Sequence, residues 1–164
     1  MSAPATTVST SVLKSVPMFA AFDEGQLRAL VPVVMRRDAP RGAVIMAEGD
    51  RVDSLYIVVS GRLKVMMGEA DGKEMILAII GPGEIFGEMG LIDDGPRSAS
   101  VIAIEPCELL VVTKRLFKKC LVENAEVALA VLRVVVRRLR EADRKMGSLA
   151  MLDVYGRVAR LLLD

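Results

Sequence analysis

The chain has 164 residues, 22 Lys and Arg against 21 Asp and Glu, a formal charge of +1, 52% hydrophobic residues and only 4% aromatic ones. That length buries the core of one compact domain with an appendage, and the balanced charge excludes a body that grips nucleic acid over its whole surface. With no histidine, Ser-His-Asp and Cys-His nucleophile systems, His-ligated zinc and haem on a proximal His are excluded, and Cys107 and Cys120 are too few for a four-thiolate cluster.

Residues 1–11 are small and hydroxylated, with nothing to bury, and are expected to form a disordered tail without the features of a secretory signal. Asp23 followed by Gln26 three residues later predicts a capping box opening a short helix through Leu27, Leu30 and Val31, disturbed at Pro32. From Ala43 to Thr113 the pattern becomes β-type. The runs are Val44–Ala47, Leu55–Val59, Leu63–Met67, Met75–Ile80, Ile85–Phe86, Ala99–Ile104 and Leu109–Thr113, separated by turns rich in Gly and Asp. That spacing favours an antiparallel β-roll of the jelly-roll (double-stranded β-helix) type, mainly β with flanking helices, over a βαβ fold.

After Thr113 the pattern turns helical. Lys114 to Glu123 predicts a short helix, and Ala125 to about Met151 a long one. Apolar residues at Ala125, Ala128, Leu132, Val135, Leu139, Ala142, Met146 and Leu149 alternate spacings of three and four, a seam of period 3.5 flanked by charge. A core helix lying on the roll is one reading. A helix pairing with a second copy of itself is the other, and the narrow seam Leu132, Val135, Leu139, Ala142, Met146 and Leu149 favours it. Asp153 resembles the N-cap of a further helix through Val158, Leu161 and Leu163. The longest apolar run, Val127 to Val136, is interrupted by Arg133 and is half a membrane span in length. The chain thus reads as soluble, with no membrane partner, and its two cysteines as reduced core residues of a cytoplasmic protein.

The chemically informative stretch is GPGEIFGEMGLIDDGPRSASV, Gly81 to Val101. A turn bracketed by Gly87 and Gly90 carries Glu88 and Met89, and a second turn delivers Arg97 and Ser98. A helical turn starting near Gly87 would aim backbone N–H groups at one point. Arg97 can hold an anionic oxygen through two donors, and Ser98 adds a hydroxyl. Glu88 suits a sugar hydroxyl while also fixing Arg97, so donors for phosphate and an acceptor for ribose fit a nucleotide. A glycine-rich connection with Glu88 and Arg97 as a structural ion pair accounts for the same residues equally well.

FGEMGLIDDGPRSASV resembles the phosphate-binding cassette of cyclic-nucleotide-binding domains. Glu48-Gly49-Asp50, Leu55-Tyr56-Ile57-Val58 and Ser60-Gly61 resemble the turns of the same β-roll. RRLREADRKMGSLAMLDVYGRVARLLL is similar to the dimer helix, hinge and first DNA-domain helix of CRP/FNR-type (catabolite activator-like) transcription regulators. The resemblance implies an allosteric, non-enzymatic regulator with no cofactor and no metal, whose ligand is a cyclic nucleotide. It divides the chain into a roll at 12–123, a dimerisation helix at 124–152 and, from 153 to 164, the start of a truncated winged helix-turn-helix. DNA and RNA polymerase would be met through the rest of that domain.

Carried over by position, the resemblance places Gly87 and Glu88 on the ribose 2′-hydroxyl, Arg97 and Ser98 on the cyclic phosphate, and Arg138 on the ligand from the long helix, with Met89 beside Glu88 counted among the ligand-binding residues. Ala142 and Asp143 stand where cAMP-binding members offer hydroxyls to adenine. Family membership favours cAMP. The carboxylate of Asp143 is an acceptor suited to the paired donors of guanine, which keeps cGMP and cyclic di-GMP as alternatives. A ligand-independent member, a cyclic-nucleotide domain controlling an enzyme or channel, and a small cupin-like enzyme are the remaining rivals. Iron–sulfur and haem-based relatives are disfavoured by the missing cysteine cluster and histidine.

Overall fold

The computed structural model describes residues 8–68 and 71–163. In chain order the elements are α1 (Thr10–Ser15), a 3-10 turn (Pro17–Phe19), α2 (Glu24–Leu30), β1 (Met35–Ala39), β2 (Val44–Met46), β3 (Ser54–Ser60), β4 (Leu63–Gly68), β5 (Glu74–Ile80), β6 (Ile85–Phe86), α3 (Met89–Asp93), β7 (Ser100–Ala103), β8 (Cys107–Thr113), α4 (Lys114–Glu123) and α5 (Ala125–Leu163). The chain divides after Val127 into two compact units.

The first unit is the expected antiparallel roll. Its two four-stranded sheets have the orders β1-β8-β3-β6 and β2-β7-β4-β5. Partners lie far apart in sequence, as in Met35↔Val111, Val44↔Ile102 and Ser54↔Thr113. Strands β3 and β8 are apolar at consecutive positions because both of their faces are buried. Tyr56, Val58, Leu109 and Val111 join Leu63, Phe86 and Val101 in the roll's core. Leu55, Ile57, Leu110 and Val112 alternate with them and are equally buried, and α4 packs on these two strands.

The turns keep the sheets in register. Gly61 joins β3 to β4 with φ +86, and a Cβ there would lie 2.4 Å from the Pro106 carbonyl oxygen and 2.6 Å from Cys107 Sγ. Backbone strain and overpacking therefore act together, and Gly61→Ala is expected to destabilise the roll by roughly 2–4 kcal/mol. Chemical denaturation checks this through a lower midpoint with an unchanged slope.

Local chemistry explains the helices. Asp23 caps α2 in a full capping box with Gln26: the Gln26 N–H donates to Asp23 Oδ1 at 2.8 Å, and the Asp23 N–H to Gln26 Oε1 at 2.9 Å. The helix ends at Leu30, before Pro32. Thr113 accepts from the Leu116 N–H to open α4.

Three expectations are corrected. Residues 8–11 are not tail: Val8 is buried, and Ser9 caps α1 by accepting from the Val12 N–H. Residues 1–7 of the expected tail lie outside the described residues. The roll begins a strand earlier than the hydropathy pattern suggests, at β1. This edge strand pairs only with β8 among the described residues, and four of its five residues are exposed. The helix does not break near Met151 either. In α5 it runs unbroken to Leu163, and Asp153 stands inside it, paired with Arg157 at 2.7 Å one turn on.

The second unit is helical throughout its described length, residues 128–163. Along the seam Leu132, Leu139, Met146 and Leu149 are each more than half exposed. No helix among the described residues is long and apolar enough to cross a membrane.

Candidate functional site

Strand β6 runs out of the core and hands the chain to Gly87, whose φ of +79 turns it sharply. Glu88 follows at the N-cap position of α3 and is fully buried. Its carbonyl accepts the N–H groups of Leu91 and Ile92, so the N–H groups of Met89 and Gly90 face the open end of the helix. Met89 is half exposed. After α3 the chain turns through Asp94, Gly95 and Pro96 and comes back to Arg97.

Arg97 is fixed at both levels. Its backbone N–H donates to the Asp50 carbonyl, and its carbonyl accepts from the Gly49 N–H, each at 2.9 Å. The Glu48-Gly49-Asp50 turn is thus a clamp on the arginine's backbone, which explains why this turn accompanies the cassette. The residue is 4% exposed. Nη1 donates to the Gly87 carbonyl at 2.8 Å and Nη2 to the Ser54 carbonyl at 2.7 Å. The carboxylate of Asp53, itself largely exposed, stands 3.8 Å from Nη2. The guanidinium carbon lies 5.7 Å from the centroid of Tyr56, which stacks on Phe86 at 5.1 Å. A Cβ at Gly87 would fall 2.5 Å from Arg97 Nη1, so only glycine lets the arginine lie against this turn.

Two main-chain carbonyls hold the guanidinium, those of Gly87 and Ser54. A guanidinium carries five N–H donors, and these carbonyls take two of them. A buried cation with donors to spare is an anion receptor, because a negatively charged partner offsets its desolvation far better than carbonyl dipoles. Glu88 contributes a buried carboxylate whose Oε2 has no hydrogen bond.

Gly87, Glu88, Met89, Arg97 and Ser98 are therefore brought together. Ser98 is exposed, with its hydroxyl 3.7 Å from Met89 Sδ. Arg138, Ala142 and Asp143 lie on α5 in the second unit, Arg138 half-buried and the other two exposed. Ser54, Asp53 and Tyr56 were not foreseen as parts of the site. Ser54 acts through its backbone carbonyl, which no side-chain pattern signals.

Other chemistries find little support. Both cysteines are buried. Burial, reinforced by Glu105, pushes the Cys107 thiol up, and burial with Glu123 does the same to Cys120, so neither is a ready nucleophile at neutral pH. No group of three or more Cys, Asp or Glu among the described residues is placed to hold a metal ion.

Residues 36–124 match the cyclic nucleotide-binding domain family. The chain is 34% identical over 153 residues to the CRP-like cAMP-activated global transcriptional regulator of Mycobacterium tuberculosis, covering 93% of this chain and 68% of that protein. It is 36% identical over 151 residues to the cyclic AMP receptor protein of Thermus thermophilus, covering 92% of this chain and 70% of that protein. The crystal structure of the Thermus thermophilus catabolite activator protein superposes with a TM-score of 0.71 at 36% identity, over 82% of this chain and 63% of that one. These relatives are transcriptional regulators and not enzymes. An antiparallel roll, a buried arginine lying against the Gly87 turn and these likenesses agree: the chain belongs to the CRP-like family of transcriptional regulators with a cyclic nucleotide-binding domain.

Proposed function

We propose that this chain is the nucleotide-sensing and dimerisation portion of a cytoplasmic bacterial regulator, with cAMP as its ligand. The observation that carries the reading is Arg97, a buried guanidinium held by two carbonyls with donors left for an anion. In this reading Arg97 and Ser98 receive the cyclic phosphate, while Gly87, Glu88 and Met89 line the ribose. Arg138, Ala142 and Asp143 approach the base from α5. The names of the relatives, cAMP-activated in one case and cyclic AMP receptor in the other, favour adenine.

Two copies pair along Leu132, Val135, Leu139, Ala142, Met146 and Leu149. Ligand acts by population shift, and it biases the dimer only through its different affinity for two arrangements of the helices. Control of DNA binding, and contact with RNA polymerase, belong to the part of such regulators that the match does not cover.

Calorimetric titration with cAMP, cGMP and cyclic di-GMP tests the ligand. The expected result is that cAMP binds most tightly. A guanine ligand that binds best and is selectively weakened by Asp143→Ala would replace cAMP, because the Asp143 carboxylate can only accept hydrogen bonds. Failure of all three to bind overturns the sensing role.

A further inference from the structure

Asp94 is the sole non-glycine residue with a positive φ among the described residues, at +57. It is the C-cap of α3. Its Oδ1 receives Lys114 Nζ at 2.6 Å and lies 3.7 Å from Lys118 Nζ. The neighbouring Lys114 ammonium holds the Asp94 carboxyl below the usual carboxylate range. Lys114 is the first residue of α4, and its backbone N–H donates to the Asp53 carbonyl at 2.8 Å. The next residue, Ser54, supplies the carbonyl that takes Arg97 Nη2. One lysine thus touches both the far end of the cassette helix and the segment that holds the arginine.

We propose that Asp94 is a positioning residue for nucleotide binding: with Lys114 and Lys118 it latches the C-terminal end of α3 onto α4, so that cassette helix and Arg97 share one support. The ligand half of this proposal rests on the cyclic-nucleotide reading; the latch itself does not.

At five residues, α3 is too short to be stable by its own hydrogen bonds, so its shape depends on what tethers its ends. The N-terminal end is tied through the Gly87 carbonyl to Arg97. Its middle has no slack, because a Cβ at Gly90 would fall 2.4 Å from Val52 Cγ2 and 2.5 Å from the Gly95 carbonyl oxygen. Asp94 supplies the tether at the remaining end. The three charged groups are solvent-accessible, and exposed ion pairs add little to global stability. The latch therefore acts locally, on the order of α3.

Amide hydrogen exchange on the 164-residue protein tests this with Asp94→Gly, Lys114→Met and the double variant. Glycine adopts a positive φ without steric cost, so Asp94→Gly removes the carboxylate and keeps the turn. The amides of Leu91 and Ile92, both bonded to the Glu88 carbonyl, are expected to exchange about two- to five-fold faster in each single variant and no faster in the double than in either single. The β3 and β8 amides and the melting temperature should hold. Unchanged exchange in α3, or single effects that add, overturns the latch. Titration of the same proteins with cAMP is expected to show binding weakened by about two- to five-fold. Faster exchange with unaltered affinity overturns the positioning role. A wild-type protein that binds no cyclic nucleotide overturns the sensing role instead, and the exchange data still decide the latch.

Discussion

Arg97→Ala is expected to weaken cyclic-nucleotide binding by hundreds-fold or more. A bound phosphate loses the one buried cation of its cradle, and an ionic partner deleted from a desolvated pair costs on the order of 3–5 kcal/mol. Stability changes too, because the Gly87 and Ser54 carbonyls lose their donor, at about 1–3 kcal/mol. Arg97→Lys separates the two effects. It keeps a positive charge but cannot span two carbonyls and an anion with one rigid fork, so it should retain most of the fold and recover only part of the affinity. Calorimetry and thermal melts on the three proteins read both quantities. Near-normal affinity in Arg97→Ala would remove the cradle as the ligand site.

Leu139→Lys should convert a dimer into a monomer. Leu139 is 59% exposed and lies mid-seam, between Leu132 and Met146, where a paired copy would cover it. A lysine there buries a charge from each subunit in an apolar interface, at a cost on the order of 3–5 kcal/mol per side when nothing pairs with it. Sedimentation velocity at micromolar concentrations separates the outcomes. A parent protein that sediments as a monomer would sink the seam, whatever the variant does. Lysine at Arg140, one residue off the seam, is the control and should leave the dimer intact.

What could be read from residues alone follows the range of the interactions. The capping box at Asp23 and Gln26 depends on neighbours three apart, and strand β6 and helix α4 fall where their residue patterns put them. Strand β1 was missed because MRRDA has no apolar alternation to show. It is held instead by main-chain bonds to β8 and by Arg36 reaching Glu108 at 3.0 Å. Asp153 misled for the opposite reason. Its N-cap preference is real, but a carboxylate inside a helix is tolerated when an arginine lies one turn on. In the site, the residue types Gly87, Glu88 and Arg97 were legible. The partners of the arginine were not, since Asp50 and Ser54 serve it through carbonyls whose positions only the folded chain decides.

The sheet order sets a schedule for synthesis. Strand β8 lies between β1 and β3, and β2 has β7 as its neighbour, so both early strands wait for segments made more than fifty residues later. While the ribosome is still translating the cassette, only local pairings such as the β4–β5 hairpin are available. Distant pairings are the slow ones, because loop closure precedes any reward from contact. The nascent roll therefore leaves Tyr56 and Val58, both destined for the core, without their β8 partners until Thr113 has emerged. For that interval the chain presents sticky, unpaired strands to the cell, and holding chaperones have their best opportunity to engage it.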